Sequence, residues 1–176
     1  MKRVVVLGPE STGKSTLALD LSNHYQAYYV KEYARDYLKF RNKHYLLEDL
    51  LQIARGQLRL EDEAEQECWK KNLSMIFYDT DLTVIKIWSE FKYRECDPFI
   101  LGQYKQRKYD LYLLTYPDLE WHPDPMRENP NDEDRMKIFD LYQNDLKSRN
   151  VEFRIIRGIG DERSENAIEI VDRLLK

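Results

Sequence analysis

The sequence predicts an α/β fold, a five-stranded parallel sheet with helices on both faces. Three observations carry this. Gly8-Pro9-Glu10-Ser11-Thr12-Gly13-Lys14-Ser15 has the pattern G-x-x-x-x-G-K-[ST] and follows directly on the apolar run Val4 to Leu7. Short apolar stretches then alternate along the chain with longer stretches of helical period, the pattern of a parallel sheet covered on both sides. A later apolar run, residues 73–78, ends in Asp79-Thr80-Asp81, acids placed at the carboxyl end of a strand.

The first of these is a P-loop, which makes the expected fold that of the P-loop NTPases. Gly8 and Gly13 lack a Cβ, so the backbone can turn tightly and point consecutive N–H groups inward. Those donors, from Ser11, Thr12, Gly13, Lys14, Ser15 and Thr16, together with the N-terminus of the following helix, suit a polyphosphate. Lys14 adds a point charge near the β- and γ-phosphates, and the Ser15 hydroxyl is a ligand for Mg²⁺. Asp79 supplies the other half of such a metal site. Asp81 reads equally as a ligand or as the N-cap of the next helix.

Bulk composition narrows the class. The chain has 176 residues, 42% hydrophobic and 34% charged, which suits one globular domain over residues 1–176. A net charge of −4 leaves no broad cationic footprint for nucleic acid. No apolar run approaches the roughly 20 residues of a membrane span, and Met-Lys-Arg leads into a strand without a signal-peptide core. The two cysteines, Cys68 and Cys96, lie far apart without C-x-x-C spacing, as expected of reduced thiols in a cytoplasmic protein. No feature fixes an oligomeric state.

After the P-loop, residues 14–26 place Leu17, Leu21 and Tyr25 four apart, an amphipathic helix. Residues 27–31 are short, aromatic and β-branched, a second strand, and end in Glu32-Tyr33-Ala34-Arg35-Asp36-Tyr37 over the ligand crevice. A long helix spans 46–71, weakened but not ended by Gly56. The third strand follows at 73–78, then a helix through Ile85 to Phe91, a helical piece at 98–107 and a fourth strand at 109–114. Residues 116–134 carry four of the six prolines and no sustained periodicity, a composition that fits a lid over an active site or a solvated loop. A helix at 135–149, a fifth strand at 151–156, a turn at Gly158-Ile159-Gly160 and a last helix from about 162 complete the chain.

Among P-loop classes, a GTPase would show N-K-x-D, which is absent. A motor-type ATPase domain would be longer and carry a sensor arginine. A compact chain with a proline-rich, arginine-bearing segment between strands four and five matches the nucleoside and nucleotide kinases.

The motifs GPESTGKST, EYAR (32–35), DTD (79–81), IWSE (87–90), YDLYLL (109–114) and PDLEW…RENP (117–130) occur in order. Over residues 3–170 the chain resembles the ribosylnicotinamide kinase domain of the bacterial NAD regulator NadR. The resemblance implies ATP-dependent phosphorylation of the 5′-hydroxyl of nicotinamide riboside, a salvage step toward NAD, with ATP and Mg²⁺ as cofactors. No H-x-G-H motif of an adenylyltransferase and no DNA-binding helix-turn-helix is expected here. The alternatives are a kinase for another nucleoside and a non-catalytic ATP-binding regulator.

Such a kinase needs a carboxylate to take the proton of the attacking hydroxyl. Glu32 is the first candidate, with Asp36 behind it and Arg35 holding the carboxylate or the ribose. The alternative for Glu32 is a surface ion pair with Arg35 or Lys31. Lys14 and Arg127, with Arg135 in reserve, would spread the charge on the transferring group. A flat, cationic nicotinamide ring calls for aromatic faces. Trp88, Trp121 and Tyr33 are candidates, with Asp81 or Asp124 nearby. Adenine is expected against the turn near Gly158, stacked on Arg163.

Overall fold

The computed structural model describes residues 1–40, 45–124, 127 and 131–175. Strands β1 (Lys2–Leu7), β2 (Tyr28–Val30), β3 (Met75–Asp79), β4 (Leu111–Thr115) and β5 (Phe153–Ile156) form one sheet in the order β2-β3-β1-β4-β5. Every pairing is parallel. The connections are helical: α1 (Lys14–His24), α2 (Tyr33–Phe40), α3 (Leu47–Lys71), α4 (Leu82–Tyr93), α5 (Pro98–Gln106) and α6 (Asp132–Ser148), with α7 (Asp161–Leu174) closing the chain.

The two-residue period of β1 explains why both faces are covered. Val4 and Val6 pack with Leu17 and Leu21 of α1 and Ala167 and Val171 of α7. Val5 and Leu7 point the other way, into a layer built from α3, α4 and α6 through Ala64, Cys68, Val84, Ile87, Ile138 and Tyr142. A third cluster joins α2, α3, α4 and α5 around Leu38, Ile53, Leu82 and Ile100.

Register brings the functional ends together. Val6 pairs with Asp79 across β1–β3, and Val30 with Tyr78 across β2–β3. The P-loop, Glu32 and Asp79 therefore leave the sheet on one edge, at the carboxyl ends of three adjacent strands.

The five strands and the long helices lie within a few residues of their expected bounds. The clear departure is α2, where the sequence reads as a polar strand end. The Tyr33 N–H that opens this helix donates to the Gln57 side chain at 2.9 Å, and Ala34 and Leu38, one turn apart, are buried. A second departure concerns 132–134, expected in the lid, which form the first turn of α6. Asn131 caps that turn, accepting from the Asp134 N–H at 3.2 Å. Within the lid motif, Pro125, Met126 and Glu128–Pro130 lie outside the described residues.

Candidate active site

The P-loop has the conformation its glycines allow. Gly8 lies at φ 149°, and a Cβ there would sit 2.2 Å from the Thr115 hydroxyl. Gly13, at φ 72°, is the left-handed residue from which α1 starts. The Thr12 and Thr115 hydroxyls share a 2.6 Å hydrogen bond, and Thr115 donates to the Leu7 carbonyl at 2.9 Å. The loop is thus bolted to β1 and β4. The Thr12 hydroxyl is consumed in this bolt, leaving its backbone for a ligand.

Lys14 folds back onto the loop, donating to the Pro9 carbonyl at 2.8 Å. Burial lowers its pKa, while Glu32 and Asp79 pull it back up. Glu32, one residue before α2, lies 3.5 Å from Arg35 Nε and keeps 18% of its side chain exposed. Burial pushes the Glu32 carboxyl above the ordinary range and the charge of Asp79 adds to this; Lys14 and Arg35 oppose the shift. Arg35 also reaches Asp124 at 3.4 Å, and Asp36 pairs with Lys31. The pairing of Glu32 with Arg35 is therefore present, inside the cleft rather than out on the surface.

Asp79 is the last residue of β3 and is 1% exposed. Tyr29 donates to one of its oxygens at 3.2 Å, while the other, Oδ1, is buried without a hydrogen-bond partner among the described residues. A buried carboxylate oxygen left unpaired is costly. With the Ser15 hydroxyl lining the same cleft, this donor set fits a hydrated divalent cation such as Mg²⁺.

Two clefts meet over the P-loop. One, of about 920 Å³, runs along Gly13, Ser15 and Thr16 to Asp79 and Asp124. The other, of about 740 Å³, is apolar at its far end, where Ile87, Trp88, Phe91, Ile138 and Tyr142 line it. Ser11, Lys14, Glu32, Arg35 and Arg127 line both. A polyphosphate in the first cleft and a planar acceptor in the second would meet at this shared wall.

Residues 116–124 and Arg127 lie against the P-loop, tied to it through Ser11. Its hydroxyl donates to the Glu120 carbonyl at 3.0 Å and accepts from the His122 N–H at 3.1 Å and from Arg127 at 3.2 Å. Arg127 also donates to the His122 carbonyl.

Several expected site residues stand elsewhere. Asp81 lines neither cleft: it is 2% exposed and caps α4, accepting from the Thr83 N–H and hydroxyl, both at 3.0 Å. Burial raises its pKa to about 6 against the pull of Arg149. Both oxygens face inward, so substrate contact through Asp81 is corrected to helix capping. Arg163 is likewise not a stacking surface for adenine. It is 4% exposed and donates to the Gly158 carbonyl at 2.8 Å, the Thr12 carbonyl at 3.0 Å, the Tyr116 carbonyl at 3.3 Å and Asp118. Gly158 itself donates to Asp118 at 3.0 Å.

Arg135, 1% exposed, bonds the Ser11 and Leu119 carbonyls behind the loop and does not line the clefts. Trp121 lines neither cleft, and its buried Nε1 has no hydrogen-bond partner among the described residues. Tyr33 packs its ring against Gly56. Trp88 does line the apolar cleft while stacking on Tyr45 at 5.3 Å. Tyr142 and Phe91 line the apolar cleft and Tyr29 the polar one, and the sequence did not announce them; each sits in an ordinary apolar pattern that reads as core.

Residues 3–163 match the family model described as an AAA domain. In sequence the chain is 28% identical, over 181 aligned residues, to the trifunctional NAD biosynthesis/regulator protein NadR of Escherichia coli (strain K12). The alignment covers 99% of this chain and 43% of that protein, so the chain spans less than half the length of its relative. The resemblance read from the motifs thus runs the length of the chain. A solved structure of NadR protein in complex with NR superposes with a TM-score of 0.83 at 22% identity, over 98% of this chain and 50% of that one. Deoxyadenosine kinase from M. mycoides superposes with a TM-score of 0.62 at 16% identity, over 97% of this chain and 99% of its own. The fold is that of a P-loop kinase.

Proposed function

The chain belongs to the AAA domain family, and we propose that it transfers the γ-phosphoryl group of ATP to the 5′-hydroxyl of nicotinamide riboside, giving nicotinamide mononucleotide and ADP. The observation that carries this reading is the shared wall: Lys14, Glu32, Arg35 and Arg127 line both the polar P-loop cleft and the apolar cleft beside it. A protein that only senses a nucleotide has no need of a second cleft opening onto the γ-phosphate position. The sequence similarity to NadR, a NAD biosynthesis protein, supports nicotinamide riboside as the acceptor.

In this reading the P-loop N–H groups and Lys14 hold the β- and γ-phosphates. Ser15 and Asp79 would hold Mg²⁺, which when bound offsets the phosphate charge. The acceptor's 5′-oxygen attacks the γ-phosphorus as the bond to the β–γ bridging oxygen breaks, and ADP leaves. Glu32 takes the hydroxyl proton; burial and Asp79 raise its pKa, which makes its carboxylate form a better base than an ordinary one. Lys14 and Arg127 spread the charge that develops on the transferring group. Trp88 and Tyr142 line the cleft that would take the nicotinamide ring, whose positive charge favours aromatic faces. Residues 116–124 and Arg127 would act as a lid that keeps water from the γ-phosphate.

Incubation with Mg·ATP and nicotinamide riboside, followed by phosphorus NMR, tests this directly. A new phosphomonoester signal appearing in equal amount with ADP is the expected result. ADP accompanied by inorganic phosphate, with no phosphomonoester, would contradict it.

A further inference from the structure

We propose that the buried arginines Arg135 and Arg163 are positioning residues that aim the phosphate-binding N–H groups of the P-loop. This rests on the P-loop's being the triphosphate site, and not on which acceptor is used. In a planar trans peptide the carbonyl of one residue points opposite to the N–H of the next. Whatever holds the Ser11 carbonyl therefore directs the Thr12 N–H, and whatever holds the Thr12 carbonyl directs the Gly13 N–H.

Each of these carbonyls is held by its own guanidinium. Arg135, from the first turn of α6, donates to the Ser11 carbonyl at 3.3 Å and the Leu119 carbonyl at 2.9 Å. Arg163, from the first turn of α7, donates to the Thr12 carbonyl at 3.0 Å and the Tyr116 carbonyl at 3.3 Å. The pattern repeats: one buried arginine, one P-loop carbonyl, one carbonyl of the segment after β4. With both carbonyls drawn to the protein side, the two N–H groups face the cleft. Among the described residues neither N–H donates a hydrogen bond within the protein. Ser11, at φ 55°, and Gly13, at φ 72°, are both left-handed, a conformation that needs outside support at a serine.

Stability alone explains Arg135 poorly. It is 1% exposed, its Nε has no hydrogen-bond partner among the described residues, and Asp132, its partner in an ion pair, has a side chain 89% exposed. A buried cation so thinly paired costs stability. What it delivers is an oriented carbonyl. The fork of a guanidinium can bridge two carbonyls at fixed separation, which a lysine ammonium does less well.

The test compares Arg135→Met and Arg163→Met with Arg149→Met in the full chain. Arg149 is a reference from the opposite end of α6, where it donates to Tyr112 and Thr83 and pairs with Asp145. Melting temperature and the dissociation constant for Mg·ATP are measured for each, and the Thr12 and Gly13 amide signals are followed as inorganic triphosphate is added. Each of Arg135→Met and Arg163→Met should weaken ATP binding about 10-fold or more, the loss expected from misaiming a donor to a charged group. Both should also diminish the amide response to triphosphate. Arg149→Met should lower the melting temperature and leave ATP affinity within about twofold. Arg135→Lys and Arg163→Lys carry the same comparison if a methionine variant does not fold. Unchanged ATP affinity in the Arg135 and Arg163 variants would overturn the proposal, as would a loss that tracks melting temperature equally in all three. ATP binding without transfer to any nucleoside would remove the kinase reading and leave this one standing.

Discussion

Val6 of β1 stands opposite Asp79 of β3 in the parallel register, and the Thr80 N–H donates to the Val6 carbonyl at 3.1 Å. The pairing sets the acid at the height where β1 turns into the P-loop. It explains how two motifs some 70 residues apart in sequence come to line one cleft, the proposed metal and phosphate site. Asp79→Asn keeps the Tyr29 contact but removes the charge that the unpaired Oδ1 presents. The expected result is a Mg²⁺ requirement raised roughly 10- to 100-fold, read from activity against Mg²⁺ concentration, with little change in melting temperature. An unaltered Mg²⁺ dependence would place the metal elsewhere.

Glu32 supplies a pH prediction. Burial and Asp79 raise its pKa, and as a base it must be ionised to act. The acidic limb of kcat/KM should therefore be centred above the ordinary carboxylate range, with activity rising as pH rises through it. Glu32→Gln should remove that limb and lower kcat by about 10²- to 10⁴-fold. A change confined to KM would make Glu32 a binding residue.

Gly56 sits in the interior of α3, where Ala would ordinarily gain about 1 kcal/mol. A Cβ there would lie 2.1 Å from the Tyr33 ring, at the start of the helix that carries Arg35. Gly56→Ala should destabilise the protein on balance, by roughly 1–3 kcal/mol of overpacking less the helix gain. Denaturant unfolding reads the sign. A more stable variant would mean that Tyr33 and α2 move aside without cost.

Glu61 is fully buried, accepting from Tyr109 at 2.8 Å, and burial raises its pKa to about 8 from 4.5, with Asp81 adding to the shift. The folded carboxyl holds its proton to higher pH than the unfolded one. Its contribution to stability is present below about pH 4.5 and is lost as pH rises toward about 8. Melting temperature should fall across that window, and less steeply in Glu61→Gln. Parallel slopes would contradict the assignment.

Much of this was legible in the sequence, because apolar runs such as Val4–Leu7 and Leu111–Leu114 become fully buried strands and the P-loop spacing fixes a backbone shape. What was not legible depended on partners distant along the chain. The helix at Tyr33–Phe40 relies on Gln57 to accept its first N–H. Asp81 suits a cap and a ligand equally until Tyr112, 31 residues away on β4, reaches it at 3.5 Å in the interior. Arg163 reads as a stacking surface for adenine because no local pattern marks an arginine whose carbonyl partners lie 5, 47 and 151 residues away. Tyr142 enters the cleft from α6, and its spacing there is that of any core residue.

The most direct test of the central claim is ADP release with Mg·ATP, measured against nicotinamide riboside, adenosine, uridine, thymidine and no acceptor, with Lys14→Ala alongside. Strong stimulation by nicotinamide riboside alone is expected, with a loss of about 10²- to 10³-fold or more in Lys14→Ala. Stimulation by a different nucleoside would discard the acceptor and keep the mechanism. ATP binding with no stimulation by any nucleoside, or full turnover in Lys14→Ala, would contradict the claim that this site transfers phosphate.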